Sequence, residues 1–196
     1  MCNRYRMTAD PAELAARYRT AAYPPDLTIP SPELFPEKLA WVVRQEGAGR
    51  ALGTMSWGFP LLTRSKTKVI EKRVTNVRNL DSPFWRSALA SPERRCLVPF
   101  TTFSEYGQSR GPDGKLPLHW FEIPSRSISS FAGIWRPLGD AAVFAFLTCE
   151  PNSLVAPIHP KAIPLILHEE DEQRWLDGEL DDLVAPFPAQ LMRVES

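Results

Sequence analysis

Short apolar runs separated by prolines, glycines and charged clusters dominate this chain, and no long amphipathic repeat runs through it. The stretch Ala141-Ala142-Val143-Phe144-Ala145-Phe146-Leu147-Thr148 is the most continuously apolar and predicts a central strand. Leu39 to Val43 predicts a buried strand, Gly47-Ala48-Gly49 a turn, and Arg50 to Trp57 its hairpin partner. Cys96 to Phe100, Leu116 to Ile123, Ser130 to Trp135 and Ile163 to Leu167 predict further strands, with a turn at Gly111-Pro112-Asp113-Gly114. Helices are few. Asp10 can cap a helix that has Pro11 at its first position and Glu13 where a capping-box acid belongs, running to about Tyr18. Ser82-Pro83 opens a second helix to about Ala90, and Glu169 to Leu176 is a third, ended by Gly178. Tyr23 to Pro36 holds five prolines and reads as an extended surface loop. The basic run 63 to 73 (Arg64, Lys66, Lys68, Lys72 and Arg73 against the single acid Glu71) reads as a solvated loop. Strands with short helices around them predict an α+β or mainly-β fold, one domain over residues 1–196.

Composition narrows the function. Twenty prolines and ten glycines in 196 residues work against long helices. The formal net charge is zero, so any nucleic acid must be held by a local patch and not by the field of the whole molecule. No apolar run approaches the ~18 residues of a membrane span, and the polar start from Asn3 lacks a signal-peptide core. A cytoplasmic location is therefore expected. Cys2, Cys96 and Cys149 are odd in number and widely spaced, which argues against a disulfide framework or a zinc site. His119, His159 and His168 are scattered too, so no metal or other cofactor is expected. Cys96 and Cys149 lie in apolar strands and read as inert buried thiols.

Cys2 is different. Methionine aminopeptidases remove Met1 when the second residue is small, and a chain starting at Cys2 carries a thiol and a free α-amine on neighbouring carbons. The amine can attack an aldehyde to give an imine, and the thiol can then close a five-membered thiazolidine. Model α-amines titrate near ~7.7–8 and thiols near ~8.5, so both are partly reactive at neutral pH. Four further segments place polar groups just after apolar strands: Thr75-Asn76-Val77-Arg78, Phe103-Ser104-Glu105-Tyr106, Glu150-Pro151-Asn152 and Pro157-Ile158-His159-Pro160-Lys161.

Cys2 with Arg4, Trp57-Gly58, Asn76-x-Arg78, Cys96-Leu97-Val98-Pro99 with Phe103-x-Glu105, Gly133-Ile134-Trp135 and Pro157-Ile158-His159 come in an order that resembles the SOS-response-associated peptidase (SRAP) family. These proteins are understood as shields of abasic sites in single-stranded DNA. The resemblance runs from Cys2 to about Trp175 and implies a barrel-like, mixed or largely antiparallel sheet with peripheral short helices. It implies a monomer that takes single-stranded DNA with an abasic site as its partner and uses no membrane. Cys2 would form the thiazolidine with the ring-opened aldehyde, and Glu105 would move protons at the N-terminal amine. His159 would help open the sugar, and Asn76 would position the amine or sugar. Arg4, Arg78 and Lys161 are the expected DNA contacts. Trp57 fits either a core position or an apolar platform beside the missing base. The resemblance also allows a weak lyase step through the imine.

Several positions depart from the family pattern: Asn3 in place of glycine, Ser56 in place of arginine, Phe100-Thr101-Thr102-Phe103-Ser104-Glu105-Tyr106 in place of Ala-Asp-Gly-Phe-Tyr-Glu-Trp, and Lys161-Ala162-Ile163-Pro164 after His159 in place of Arg-Met-Pro. They bear on DNA affinity more than on the reaction. Two other readings stand beside the first. One is a cysteine peptidase that removes its own Met1 through Cys2 and His159. The other is a single-strand-binding module in which Cys2 is incidental.

Overall fold

A computed structural model of the protein describes residues 2–20, 27–64 and 68–195. Its strands are β1 (Tyr5–Arg6), β2 (Glu33–Leu34), β3 (Leu39–Glu46), β4 (Gly49–Trp57), β5 (Phe59–Arg64), β6 (Val69–Val74), β7 (Asn76–Val77), β8 (Arg95–Phe100), β9 (Thr102–Tyr106), β10 (Leu118–Glu122), β11 (Ser129–Leu138), β12 (Ala141–Cys149), β13 (Ile163–Pro164), β14 (Ile166–Leu167) and β15 (Arg193–Val194). The α-helices are α1 (Pro11–Tyr18), α2 (Pro83–Ala90) and α3 (Glu172–Leu176).

The apolar run 141–148 becomes the centre of the fold. β12 pairs antiparallel with β11 and parallel with β4, and the chain of neighbours β12-β4-β3-β8-β11 returns to β12, closing a five-stranded barrel. Closure leaves none of these five strands at a free sheet edge. β4 covers only part of the β12 edge, through Ser56 and Trp57 against Val143 and Phe144; β7 continues it, with Asn76 and Val77 against Phe146 and Leu147. Between them the chain leaves at Gly58. Its φ of +117° is closed to side-chain-bearing residues, and a Cβ there would lie 2.8 Å from Arg73 Cβ. The Gly58 N–H bonds Phe144 O at 2.8 Å, and β5 and β6 carry the chain out and back. This detour delivers Asn76 to the centre of the molecule.

A second sheet, in the order β15-β10-β9-β1-β2, carries the N-terminal strand beside Glu105. It meets the barrel through a layer of buried rings. Tyr5 packs edge-on against Trp57, Phe131 and Phe146, with centroids 5.1–6.1 Å apart. Phe103 joins Phe100, Phe121 and Phe131 in the same layer. Such pairs add ~0.5–1.5 kcal/mol each beyond burial of their area and fix one sheet against the other.

Helix α1 starts as its residues dictate: Glu13 N–H bonds Asp10 Oδ1 and Asp10 N–H bonds Glu13 Oε2, each at 2.9 Å. Its buried residues Leu14 and Tyr18 face the core. Three expectations need correction. Of the basic run, residues 63–64 and 69–73 belong to a two-stranded ribbon, β5 with β6, where a loop was expected; residues 65–67, Lys66 among them, lie outside the described residues. Both ribbon faces meet solvent, so no period-two apolar signal marks it. Ile163 to Leu167 is two short strands on different partners, β13 on β12 and β14 on β11. The third helix begins with a 3-10 turn, Glu169–Asp171, before α3. Within the expected loop Tyr23–Pro36, residues 23–26 lie outside the described residues, and Glu33–Leu34 pairs with β1. No helix is long and apolar enough to cross a membrane among the described residues.

Candidate active site around Cys2

Cys2 sits just before β1, which is held between β2 and β9. Its carbonyl accepts a hydrogen bond from Asn76 Nδ2 at 2.8 Å, and the same nitrogen lies 2.7 Å from Thr75 Oγ1. The Cys2 thiol donates to Arg4 O at 3.5 Å. Arg4 O also accepts from the Ser104 N–H at 3.1 Å and the Ser104 hydroxyl at 3.0 Å. Strand β9 thus clamps the residues after Cys2 with one position and presents the next, Glu105, to the site. Glu105 lies on the same face of β9 as Phe103, because strand side chains alternate. The His159 Nε2 nitrogen stands 3.7 Å from Glu105 Oε2. His159 is placed by a turn in which its own N–H bonds Val155 O at 2.8 Å, and that turn is tied down by Asn152, whose Oδ1 accepts from the N–H groups of Leu154 and Val155. Residues 2, 76, 105 and 159 are therefore brought to one place by three separate strands and a turn.

Burial sets the electrostatics. Glu105 is 2% exposed, and this burial pushes its carboxyl up to about 7 from an ordinary 4.5. Burial also lifts the Cys2 thiol far above its usual range, and the nearby Glu105 carboxylate adds to the effect. His159 is pushed down, first by burial; the cations of Lys161 and Arg78 act in the same direction, and a bond to the Tyr106 backbone opposes them. Near neutral pH the site therefore holds a protonated thiol, a neutral imidazole and a carboxyl poised between its two forms. Asn76 Oδ1 is buried with no hydrogen bond among the described residues, an acceptor available to a ligand. No group of three His, Cys, Asp or Glu side chains there is arranged to hold a metal.

The sequence matches the model of the SOS response associated peptidase (SRAP) family across residues 1–196. The chain belongs to this family. Its fold is shared with solved structures of low sequence identity. A protein from Bacteroides thetaiotaomicron superposes with a TM-score of 0.77 at 22% identity, covering 98% of this chain and 90% of that one. A protein from Bordetella bronchiseptica gives 0.77 at 20% identity with 98% of each chain covered, and a phage-related protein from the same organism 0.72 at 17%, covering 99% and 93%. No curated protein matches the chain significantly. SRAP membership associates this protein with the DNA-damage response.

The four residues that the SRAP resemblance assigned to chemistry converge; those assigned to DNA divide. Arg78 and Lys161 are exposed and adjoining, with the Arg78 guanidinium donating to Lys161 O at 3.0 Å. Lys161 and His159 line one groove of about 310 Å³, and Arg78 lines another of about 290 Å³. Arg4 is ion-paired with Glu33 and lies over the rings of Phe35 and Trp120, so its charge is already compensated. Trp57 is a correction. It is fully buried, stacked on Phe144 and Phe146, and its indole N–H donates to Thr75 O at 3.1 Å, so it belongs to the core and offers no face to a base. Sequence reasoning missed Thr75 and Ser104 as supports. Both directly precede a predicted site residue, and that adjacency was the available signal.

Cys96 and Cys149 are also free thiols. Cys96 is fully buried, whereas Cys149 is half-buried and pushed up to about 12 by burial.

Proposed function

We propose that this protein binds single-stranded DNA at an abasic site and forms a covalent thiazolidine through Cys2 once Met1 has been removed. The observation that carries the reading is the convergence of Cys2, Asn76, Glu105 and His159, with the Cys2 backbone held at 2.8 Å by Asn76. The ring-opened sugar supplies an aldehyde. The freed Cys2 amine adds to it, and loss of one water gives an imine. The thiol then adds across the C=N bond, sulfur to carbon and proton to nitrogen, closing the ring without any oxidant or reductant. The carbinolamine must take up a proton to lose water, and a carboxyl near 7 is suited to giving and reclaiming it. Neutral His159 can accept the sugar hydroxyl proton during ring opening. Arg78 and Lys161, exposed and adjoining, are the cations this reading assigns to phosphates flanking the lesion. A thiol held protonated by burial favours an amine-first reaction over thiolate attack on a peptide bond.

The test is incubation with single-stranded DNA carrying an abasic site, read on a denaturing gel. Wild type should give a shifted covalent band, and a tetrahydrofuran analogue lacking the aldehyde should give none. Undiminished cross-linking by Cys2→Ala would overturn the assignment of Cys2.

A further inference from the structure

Where β11 and β12 approach the Gly139 turn, two guanidiniums lie over one indole, and a third lines a groove with one of them. Arg44, from β3, and Arg94, from the 3-10 turn Pro92–Arg94, lie 5.0 and 4.7 Å from the Trp135 ring centroid. The neighbouring Arg136 lies 4.6 Å from the Phe59 ring and 5.4 Å from that of Phe84, and donates to Pro60 O at 3.0 Å. All three arginines are half-buried. Among the described residues none of them is in an ion pair. This sets them apart from Arg17, Arg50, Arg73 and Arg174, each bound to at least one carboxylate. The Trp135 indole nitrogen is buried and also has no hydrogen-bond acceptor. Grooves of about 390 and 290 Å³ open on the two sides of Trp135; Arg94 and Arg136 line the larger and Arg44 the smaller.

Stacking on a ring occupies the face of a guanidinium and leaves in-plane N–H donors for a tetrahedral oxyanion, apart from the one that Arg136 gives to Pro60 O. Like charges held together repel unless an anion lies among them. The acids Glu93 and Asp140 also line these grooves but form no ion pair with the three arginines, which leaves an excess of one positive charge. We infer that this cluster is a binding site for a phosphate group, ester or diester, separate from the Cys2 constellation. Arg94 and Arg136 would supply paired N–H donors to its oxygens, and Glu93 would weaken the site by repulsion.

The test uses calorimetric titration of Cys2→Ala protein, so that no covalent product intervenes, at low salt. The probes are inorganic phosphate, thymidine 5′-monophosphate and a thymidine trinucleotide. Saturable binding of the first two identifies a free phosphate ester as ligand; binding of the trinucleotide alone identifies a strand phosphodiester. In either case Arg94→Gln/Arg136→Gln should weaken binding about tenfold or more. Glu93→Gln should strengthen it about threefold. Trp135→Phe, which keeps the ring but removes the N–H, guards against a folding defect and should weaken binding without abolishing it. Absence of saturable binding for all three probes, or equal binding by a folded double arginine variant, overturns the inference.

Discussion

Glu105→Gln should stabilise the protein at alkaline pH while removing its chemistry. The Glu105 carboxyl is 2% exposed, and its value is raised from 4.5 to about 7, mainly by burial. Below pH 4.5 the group is neutral in both folded and unfolded chains and costs nothing. Between 4.5 and 7 the unfolded chain releases the proton while the folded chain keeps it, so stability falls by about 1.4 kcal/mol per pH unit. By pH 8 the accumulated cost is about 3 kcal/mol, the order of magnitude for holding this carboxylate out of water. Glutamine has nearly the same shape and stays neutral throughout. His159, whose lowered value costs stability as pH falls, is common to both proteins and largely cancels. Urea unfolding followed by circular dichroism from pH 4.5 to 8 measures the difference. The two proteins should be about equally stable at pH 4.5, with the variant ahead by about 2–3 kcal/mol at pH 8. A gap that does not change with pH, or a wild type that leads at pH 8, would refute the assignment of a raised carboxyl.

Substitutions at three other positions probe how the site is built. Trp57→Ala should cost about 3–5 kcal/mol of stability in thermal or urea unfolding, as a core residue would; an equally stable variant that loses only DNA affinity would make Trp57 a platform instead. Asn76→Ala leaves the Cys2 carbonyl without its donor and should cost about 1–3 kcal/mol and slow cross-linking, and Asn76→Asp, which cannot donate when ionised, should do no better. Glu172 is buried, ion-paired with Arg17 and Arg50 and bonded by the Ser130 hydroxyl, so Glu172→Gln should cost about 3–5 kcal/mol with little change in cross-linking by the folded fraction.

How much of this was legible depended on whether the signal was local. The capping box of α1 and the β3–β4 hairpin were written in adjacent residues and formed as read. The solvated β5–β6 ribbon was not, because lysines and arginines on a ribbon wet on both sides mask any alternation. Trp57 could not be placed, since a tryptophan at a strand end before glycine suits either a core or a surface. Only the parallel pairing of β4 with β12 decides that it stacks inward on Phe144. The segments holding Asn76, Glu105 and His159 stand out as polar groups after apolar strands, but their roles came from the family resemblance. No spacing in the sequence says that β7, β9 and the 152–159 turn meet beside Cys2. The pairing of Arg4 with Glu33 likewise depends on strand β2, two residues long in a proline-rich stretch that gave no strand signal.

The central claim is that the α-amine and thiol of Cys2 act together. Protein can be prepared in two forms, one beginning at Cys2 and one retaining Met1, and each reacted with single-stranded DNA bearing an abasic site. Intact-mass spectrometry then reads the product. Only the form beginning at Cys2 should give an adduct, at the mass of protein plus DNA less one water. An adduct of equal yield from the form retaining Met1 would contradict the account, because there the Cys2 nitrogen is an amide and cannot form the imine.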